Sequence, residues 1–148
     1  MAPRRSDRMG VVLKVAQKHE QDAAGYLTQY QQIVTEQQTQ LAQLIEYRAS
    51  YLDRMTSSQG AMSPVQLSHY SGFIHNLEGM LEQQKDKLEE LQAQLEKVRM
   101  HWYQQRNRCK SIEELIARLR RGEDKEAERR LQKELDEMAG AARNRPKQ

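Results

Sequence analysis

Side chains that commonly catalyse reactions or bind metals are few and isolated in this chain. It has no glycine-rich phosphate-binding loop, and the long helices predicted below offer no cleft where Ser, His and Asp could meet. None of the four histidines has a second histidine at the helical spacing of a metal site: His19, His69, His75 and His101. The sequence therefore predicts no enzyme activity, no catalytic residue, no metal site and no cofactor.

Composition favours long solvated helices over a thick globular core. The chain has 148 residues, of which 37% are hydrophobic, 5% aromatic and 30% charged, and these values suit one coiled-coil domain. The net charge of +3 is a modest excess, so a solvated surface is favoured over a nucleic-acid site. The longest uncharged apolar piece near the N-terminus, Met9–Leu13, is too short for a signal sequence or a membrane span, which predicts a cytoplasmic protein.

The element that organises the chain is a heptad seam from Leu67 to Leu119. Apolar residues recur there at alternating intervals of three and four, as in a coiled coil. Cys109 lies on this seam, which predicts a small buried hydrophobic residue. The seam positions are Leu67, Tyr70, Ile74, Leu77, Leu81, Gln84, Leu88, Leu91, Leu95, Val98, Trp102, Gln105, Cys109, Ile112, Ile116 and Leu119.

A second, less strict seam precedes it and supplies the partner helix. Glu20, Gln37 and Arg48 interrupt this seam, which runs through Leu13, Ala16, Glu20, Ala23, Leu27, Tyr30, Val34, Gln37, Leu41, Leu44, Arg48, Tyr51 and Met55. Ser63 and Pro64 predict a helix start after the intervening turn, and Gln66 could complete a capping box. Two long amphipathic helices joined by a short loop predict an all-α antiparallel two-helix coiled coil.

The predicted boundaries divide the 1–148 domain as follows: a flexible basic arm at 1–9, helix one at 10–57, a turn at 58–63, helix two at 64–121, a terminal helical extension at 122–139 and a flexible tail at 140–148. A bend or frayed point is expected at Gly122, because the heptad loses phase after Leu119. A short stripe follows through Ala127, Leu131, Leu135 and Met138, so helix two should overhang helix one by up to about 40 Å. Two registers between the seams are compatible with the sequence: one sets Ala23 opposite Trp102, and the other sets Ala16 opposite Trp102.

The flank of the seam is largely apolar, where a self-sufficient two-stranded coil usually has charges. On helix one these flank positions are Val12, His19, Tyr26, Ile33, Gln40 and Tyr47. Helix two contributes Phe73 and Met80. Tyr47, Phe73 and Met80 should form one partly exposed patch near the turn, which either covers the seam edge or docks a partner.

Two segments around the turn carry a resemblance to a known family. Leu41–Tyr51 reads LAQLIEYRASY, and Tyr70–Leu77 reads YSGFIHNL. Together they resemble the flagellar FliJ family, whose pattern is L-x-x-L-I-x-Y-x-x-x-Y followed by Y-x-x-F-I-x-x-L. Total length, the basic N-terminus and the charged C-terminal helix also agree, so the resemblance covers nearly the whole chain.

The resemblance implies a hairpin similar to the gamma stalk of rotary ATPases and a role in flagellum biogenesis, motility and chemotaxis through type III protein export. It implies three partners: the hexameric flagellar export ATPase, the export-gate protein FlhA and substrate-free export chaperones. The protein would then associate peripherally with the cytoplasmic face of the inner membrane. By motif match, the gate-binding residues are Gln40, Leu44, Tyr47, Tyr51, Phe73, Leu77, Met80 and Gln84.

The heptad positions and the motif match agree on Tyr47, Phe73 and Met80. They differ on residues that the heptads place on the seam: Leu44, Tyr51, Leu77 and Gln84. Basic residues near both termini are expected to contact an acidic lining of the ATPase ring. These are Arg4, Arg5, Arg8, Arg118, Arg120 and Arg121.

Three alternatives share some of these features. The stalk protein of a virulence type III injectisome would share the architecture, but the tyrosine and phenylalanine motif favours the flagellar protein. A generic structural coiled coil should lack the apolar flank. A nucleic-acid-binding helical protein would need an unbroken basic face, which acidic residues interrupt at Glu123, Asp124, Glu126 and Glu128.

Overall fold

Two long α-helices form an all-α antiparallel hairpin in the computed structural model, which describes residues 3–58 and 60–144. Helix α1 spans Arg5–Ser57 and helix α2 spans Pro64–Arg143. The helices pack into two compact units. One is Asp22–Tyr103, and the other combines the residues up to Gln21 with those from Gln104 onward.

The start of α2 is fixed by the predicted capping box. The Gln66 backbone N–H donates to Ser63 Oγ at 3.2 Å, and the Ser63 N–H donates to Gln66 Oε1 at 3.1 Å. Pro64 occupies the first helical position, where its missing N–H costs nothing. This pair of reciprocal bonds satisfies two backbone groups that the helix itself leaves unpaired.

The buried apolar residues all lie on the two predicted seams. In the 22–103 unit they are Ala23, Val34, Ile74, Leu77, Leu81 and Leu95. In the other unit Ala16, Cys109, Ile112 and Ile116 form one cluster, with Met9 and Leu13 packed against it. Ala16 packs in the same cluster as Cys109. This contact agrees with the register that sets Ala23 opposite Trp102, because Ala16 lies seven residues before Ala23 and Cys109 lies seven residues after Trp102 on the antiparallel helix.

The three polar interruptions of the α1 seam each have a partner on α2. Arg48 donates to Glu78 Oε1 from Nη2 at 3.0 Å and from Nε at 3.3 Å. The Gln84 amide donates to the Gln37 side-chain oxygen. Glu20 accepts a hydrogen bond from Cys109. Polar seam residues that meet polar groups avoid the cost of unpaired burial, so the seam continues through them.

Helix α1 begins earlier than predicted. Residues 5–9 are helical, whereas the sequence pattern placed them in a flexible arm; residues 1 and 2 of that arm lie outside the described residues. The heptad runs back to Ser6, which is 1% exposed. The Ser6 backbone N–H and hydroxyl both donate to the Glu123 carboxylate, at 3.1 and 2.7 Å. These bonds hold the first turn of α1 against α2, and the sequence pattern gives no sign of them.

Helix α2 continues without a break through Gly122 and past residue 139, the predicted end of the terminal extension. One interior glycine costs only about 1 kcal/mol, and neighbouring side-chain pairs support the helix. Glu126 pairs with Arg129 and Arg130, and Gln132 donates to Asp136. The predicted tail at 140–148 is helical as far as Arg143, and residues 145–148 lie outside the described part of the chain.

The last part of α2 has no α1 segment beside it. Every residue from Asp124 to Ala139 is exposed, including the apolar stripe residues Leu131, Leu135 and Met138. At 1.5 Å per residue, α2 extends about 30 Å beyond the Ser6–Glu123 contact. The predicted overhang is therefore present as one continuous helix.

Candidate functional site

Four aromatic rings from both helices gather near the turn in the 22–103 unit. We call Tyr47, Tyr51, Tyr70 and Phe73 the aromatic cluster. Tyr51 is its centre, because its ring centroid lies 4.5 Å from that of Phe73, 6.0 Å from Tyr70 and 6.4 Å from Tyr47. Such distances fall in the range of favourable aromatic pairing, so the rings fix one another across the helix pair.

The cluster presents apolar area to solvent. Tyr47 is 60% exposed and Phe73 is 42% exposed, while Tyr51 and Tyr70 are half-buried. The Arg54 guanidinium carbon lies 5.8 Å from the Tyr51 ring centroid and adds a cation–π contact. Met80 lies further along α2 and is 52% exposed. Tyr47 and Phe73 are therefore joined through Tyr51, and the flank carries the partly exposed apolar side chains that the heptads predict.

The eight residues matched to gate binding divide by exposure. The exposed ones are Gln40, Tyr47, Phe73 and Met80. Leu77 is buried, Leu44 and Tyr51 are half-buried, and Gln84 is bonded to Gln37. The covered four are the seam residues identified from the heptads. Motif matching missed Tyr70 and Arg54, although Tyr70 precedes Phe73 by three residues and so lies on the same helix face.

Arginines from both helices line a groove in the other unit. The groove has a volume of about 530 Å³ and carries Arg4, Arg5, Arg118 and Arg130, and we call it the arginine groove. Arg4 pairs with Asp124 at 3.5 Å. Arg8, Arg120 and Arg121 are exposed but do not line it. The sequence pattern did not single out Arg130, which reaches the groove along the row at four-residue spacing that runs from Arg118 through Gly122 and Glu126.

The Glu123 carboxylate accepts hydrogen bonds from Ser6 at the N-terminal end of α1 and also lines the arginine groove. Hydrogen bonds from the Ser6 hydroxyl and then from the Ser6 backbone N–H lower the pKa of the Glu123 carboxyl, and Arg4 and Arg120 lower it further. The ionised carboxylate is therefore the form that holds the first turn of α1.

We expect this anchoring to depend on pH with a defined sign. A lowered folded pKa means that the stabilisation is complete above the unfolded glutamate pKa, about 4.3, and is lost as the pH falls through the folded value. Amide-exchange protection factors for the first two turns of α1 should decrease over that acidic range. The Glu123→Gln variant should show reduced protection already at neutral pH and no further acidic transition; an unaltered transition in this variant would contradict the assignment.

The thiol of Cys109 is shielded from solvent. Cys109 is 4% exposed, and burial raises the pKa of its thiol, to which the charge and hydrogen bond of Glu20 add. A protonated, buried thiol is a poor nucleophile. Among residues 3–58 and 60–144, no group of three or more His, Cys, Asp or Glu side chains could hold a metal ion.

Cys109 should react slowly with thiol reagents in the folded protein. Reaction requires local opening of the cluster formed with Ala16, Ile112 and Ile116, so the rate with a disulfide reagent should be roughly a hundredfold below that in denaturant. Equal rates in the folded and denatured protein would contradict this burial. A variant with Cys109→Ala and Ser111→Cys, which moves the thiol to a nearby exposed position of α2, provides the fast-reacting control.

Neither described helix contains an apolar stretch long enough to cross a membrane. Comparison with protein families matches the Flagellar FliJ protein family over residues 5–148. No curated protein and no solved structure matches the chain. The chain therefore belongs to the flagellar FliJ family and is a component of flagellar type III protein export.

Proposed function

We propose that this chain is the central stalk of the flagellar export ATPase ring and links the ring to the export-gate protein FlhA. The proposal places it peripherally at the cytoplasmic face of the inner membrane. Family membership supports the export role. Two separate surfaces support the finer assignment, one on each compact unit: the exposed side of the aromatic cluster and the arginine groove with its neighbouring arginines.

The exposed aromatic cluster is the observation that carries the proposal. Free two-stranded coils place charged residues beside the seam, whereas this chain places Tyr47 and Phe73 there. Partly exposed aromatic side chains held by packing are the usual anchors of protein interfaces, since they bury much area at little entropic cost. Tyr51 holds both rings in place, so the surface is organised before a partner arrives.

The eight motif-matched residues take two roles in this proposal. Gln40, Tyr47, Phe73 and Met80 contact the gate protein directly, because they are exposed. The other four act through positioning: Leu44, Tyr51, Leu77 and Gln84 hold the two helices at the spacing that presents the exposed ones. Gate binding then needs no opening of the seam.

The ATPase ring is assigned to the arginines. Arg5, Arg8, Arg118 and Arg121 are exposed and form no ion pair among the described residues. Unpaired guanidinium groups favour acidic partners through charge-assisted hydrogen bonds, which suits an acidic lining of a ring pore. The unpartnered end of α2 adds a narrow helical segment that a ring pore could admit. Export chaperones complete the partner set through the family resemblance.

Replacing Phe73 with alanine is expected to weaken binding to the cytoplasmic region of FlhA. Loss of a buried aromatic anchor costs about 2 kcal/mol or more, which corresponds to roughly a thirtyfold rise in Kd. Tyr47→Ala should show a smaller rise. Isothermal titration with the purified gate domain measures both.

The control is Tyr103→Ala, because Tyr103 is a 48% exposed aromatic residue of the same unit outside the aromatic cluster. Its Kd should equal that of the wild type. Circular dichroism should show that all three variants remain helical. Wild-type affinity in both the Phe73 and the Tyr47 variant would refute the gate surface.

A further inference from the structure

The outer side of α1 between Ala23 and Ile45 is almost without charge. Glu36 is the one charged residue in this stretch, which otherwise consists of Gln, Thr and apolar residues. The α2 stretch of the same length, Leu81–Tyr103, contains nine charged residues. Both stretches belong to the same compact unit and contribute to the same seam. Their difference therefore lies on the sides that face away from the seam.

A line of exposed side chains runs along this segment and ends two residues beyond it, at seven-residue spacing. Tyr26 is 60% exposed, Ile33 is 38% exposed and Tyr47 is 60% exposed, and Gln40 completes the line. We call these four residues the uncharged face. Seven-residue spacing keeps them on one side of a supercoiled helix, beside the seam already used by α2. A helix packed on this face would meet one line of side chains from end to end.

A surface that a partner protein buries has few charged residues and is rich in tyrosine, whereas a surface that stays in water is usually charged. Interface centres are depleted of Lys, Glu and Asp and enriched in Tyr, because desolvating charges is costly. The uncharged face has this composition, and Tyr26 and Ile33 lie outside the residues assigned to gate binding. The glutamines around it can exchange hydrogen bonds with water for bonds with a partner.

The negative charge of Glu36 limits which protein can bind the uncharged face. It follows Ile33 by three residues and precedes Gln40 by four, so it lies beside the middle of the uncharged face. Two copies of the chain pairing antiparallel through this face would bring Tyr26 of each near Tyr47 of the other. The same pairing would set the two Glu36 carboxylates together at the symmetry axis. Like charges at that point oppose self-association, and a basic residue of a different protein would complement it.

We propose that the uncharged face binds one amphipathic α-helix from another protein, with a lysine or arginine near its centre that pairs with Glu36. From Tyr26 to Tyr47 the face is about 32 Å long, which corresponds to a partner helix of about 22 residues. The partner presents an apolar heptad line to Tyr26, Ile33 and Tyr47 and few other charges. This site shares Gln40 and Tyr47 with the gate surface proposed above and extends beyond it through Tyr26, Ile33 and Glu36.

Photo-crosslinking in flagellated cells tests this assignment. Benzoylphenylalanine in place of Ile33 in the full-length chain should crosslink to another protein, and mass spectrometry should map the adduct to a helical segment of the stated pattern. The same photoreactive residue in place of Glu89, an exposed residue of α2, should give no such product. Glu36→Arg should lower the crosslink yield by about fivefold or more, and reversing the mapped basic residue should restore it.

Three outcomes would overturn the proposal: no crosslink, a crosslink to a second copy of the chain, or a mapped segment without a helical apolar line and a central basic residue. The Phe73→Ala variant separates this site from the gate surface. The Ile33 crosslink should persist in that variant, and its loss would show that the uncharged face is only an extension of the gate contact. Gate affinity should in turn be unchanged by Glu36→Arg.

Discussion

Replacing Leu95 with glutamate is expected to unfold the middle of the hairpin. Leu95 is 9% exposed and lies on the α2 seam that packs against α1. Truncating such a leucine to alanine costs about 2–5 kcal/mol, and a glutamate adds the cost of burying a charge without a partner. Thermal unfolding followed by circular dichroism should show Tm lowered by about 10 °C or more.

The matched control for this substitution is Gln94→Glu. Gln94 is the preceding residue in the same helix and is exposed, so its replacement introduces the same charge without burial. Gln and Glu have similar helix propensities, and the control should therefore unfold within a degree or two of the wild type. A wild-type Tm for Leu95→Glu would contradict the buried seam on which the fold depends.

Reversing three exposed arginines is expected to abolish most of the effect of this chain on the export ATPase. Arg5→Glu, Arg118→Glu and Arg121→Glu together remove cationic groups that have no ion pair among the described residues. At roughly 0.5 kcal/mol per exposed contact, the triple variant should bind the ATPase about tenfold more weakly, and like-charge repulsion adds to the loss. ATP turnover titrated with each variant measures the change in apparent affinity for the ATPase.

The control reverses three exposed lysines of the other compact unit: Lys85→Glu, Lys87→Glu and Lys97→Glu. It changes the net charge by the same amount, so any general effect of charge on association appears equally in both variants. The lysine variant should stimulate turnover as the wild type does. Equal loss in both triple variants would show that the arginines have no specific role, and retained stimulation by the arginine variant would remove them from the ring contact.

The heptads predicted which residues form the core, because an apolar stripe at alternating three- and four-residue spacing is buried only when a second helix packs along it. Leu77, Leu81 and Leu95 are buried accordingly, and Ser63 and Gln66 form the predicted cap. The helix ends were predicted less well. The first turn of α1 depends on Ser6 meeting Glu123, a contact between residues far apart in sequence that no local pattern reveals.

The candidate site was predictable to the extent that it depends on heptad position. The flank positions of Tyr47, Phe73 and Met80 predicted their exposure, and motif matching added residues that packing covers, such as Leu77. The central position of Tyr51 could not be predicted, since it depends on how the side chains of two helices interlock. The same holds for Arg130, which joins the arginine groove only because α2 stays helical through Gly122.

The most direct test of the stalk role is ATP hydrolysis by the flagellar export ATPase with and without this chain, together with the oligomeric size of the ATPase. We expect the chain to raise turnover and to promote formation of the hexameric ring at substoichiometric amounts. Circular dichroism on the same sample should confirm that the chain is folded. Unchanged turnover and unchanged oligomer size in the presence of folded chain would contradict the stalk role.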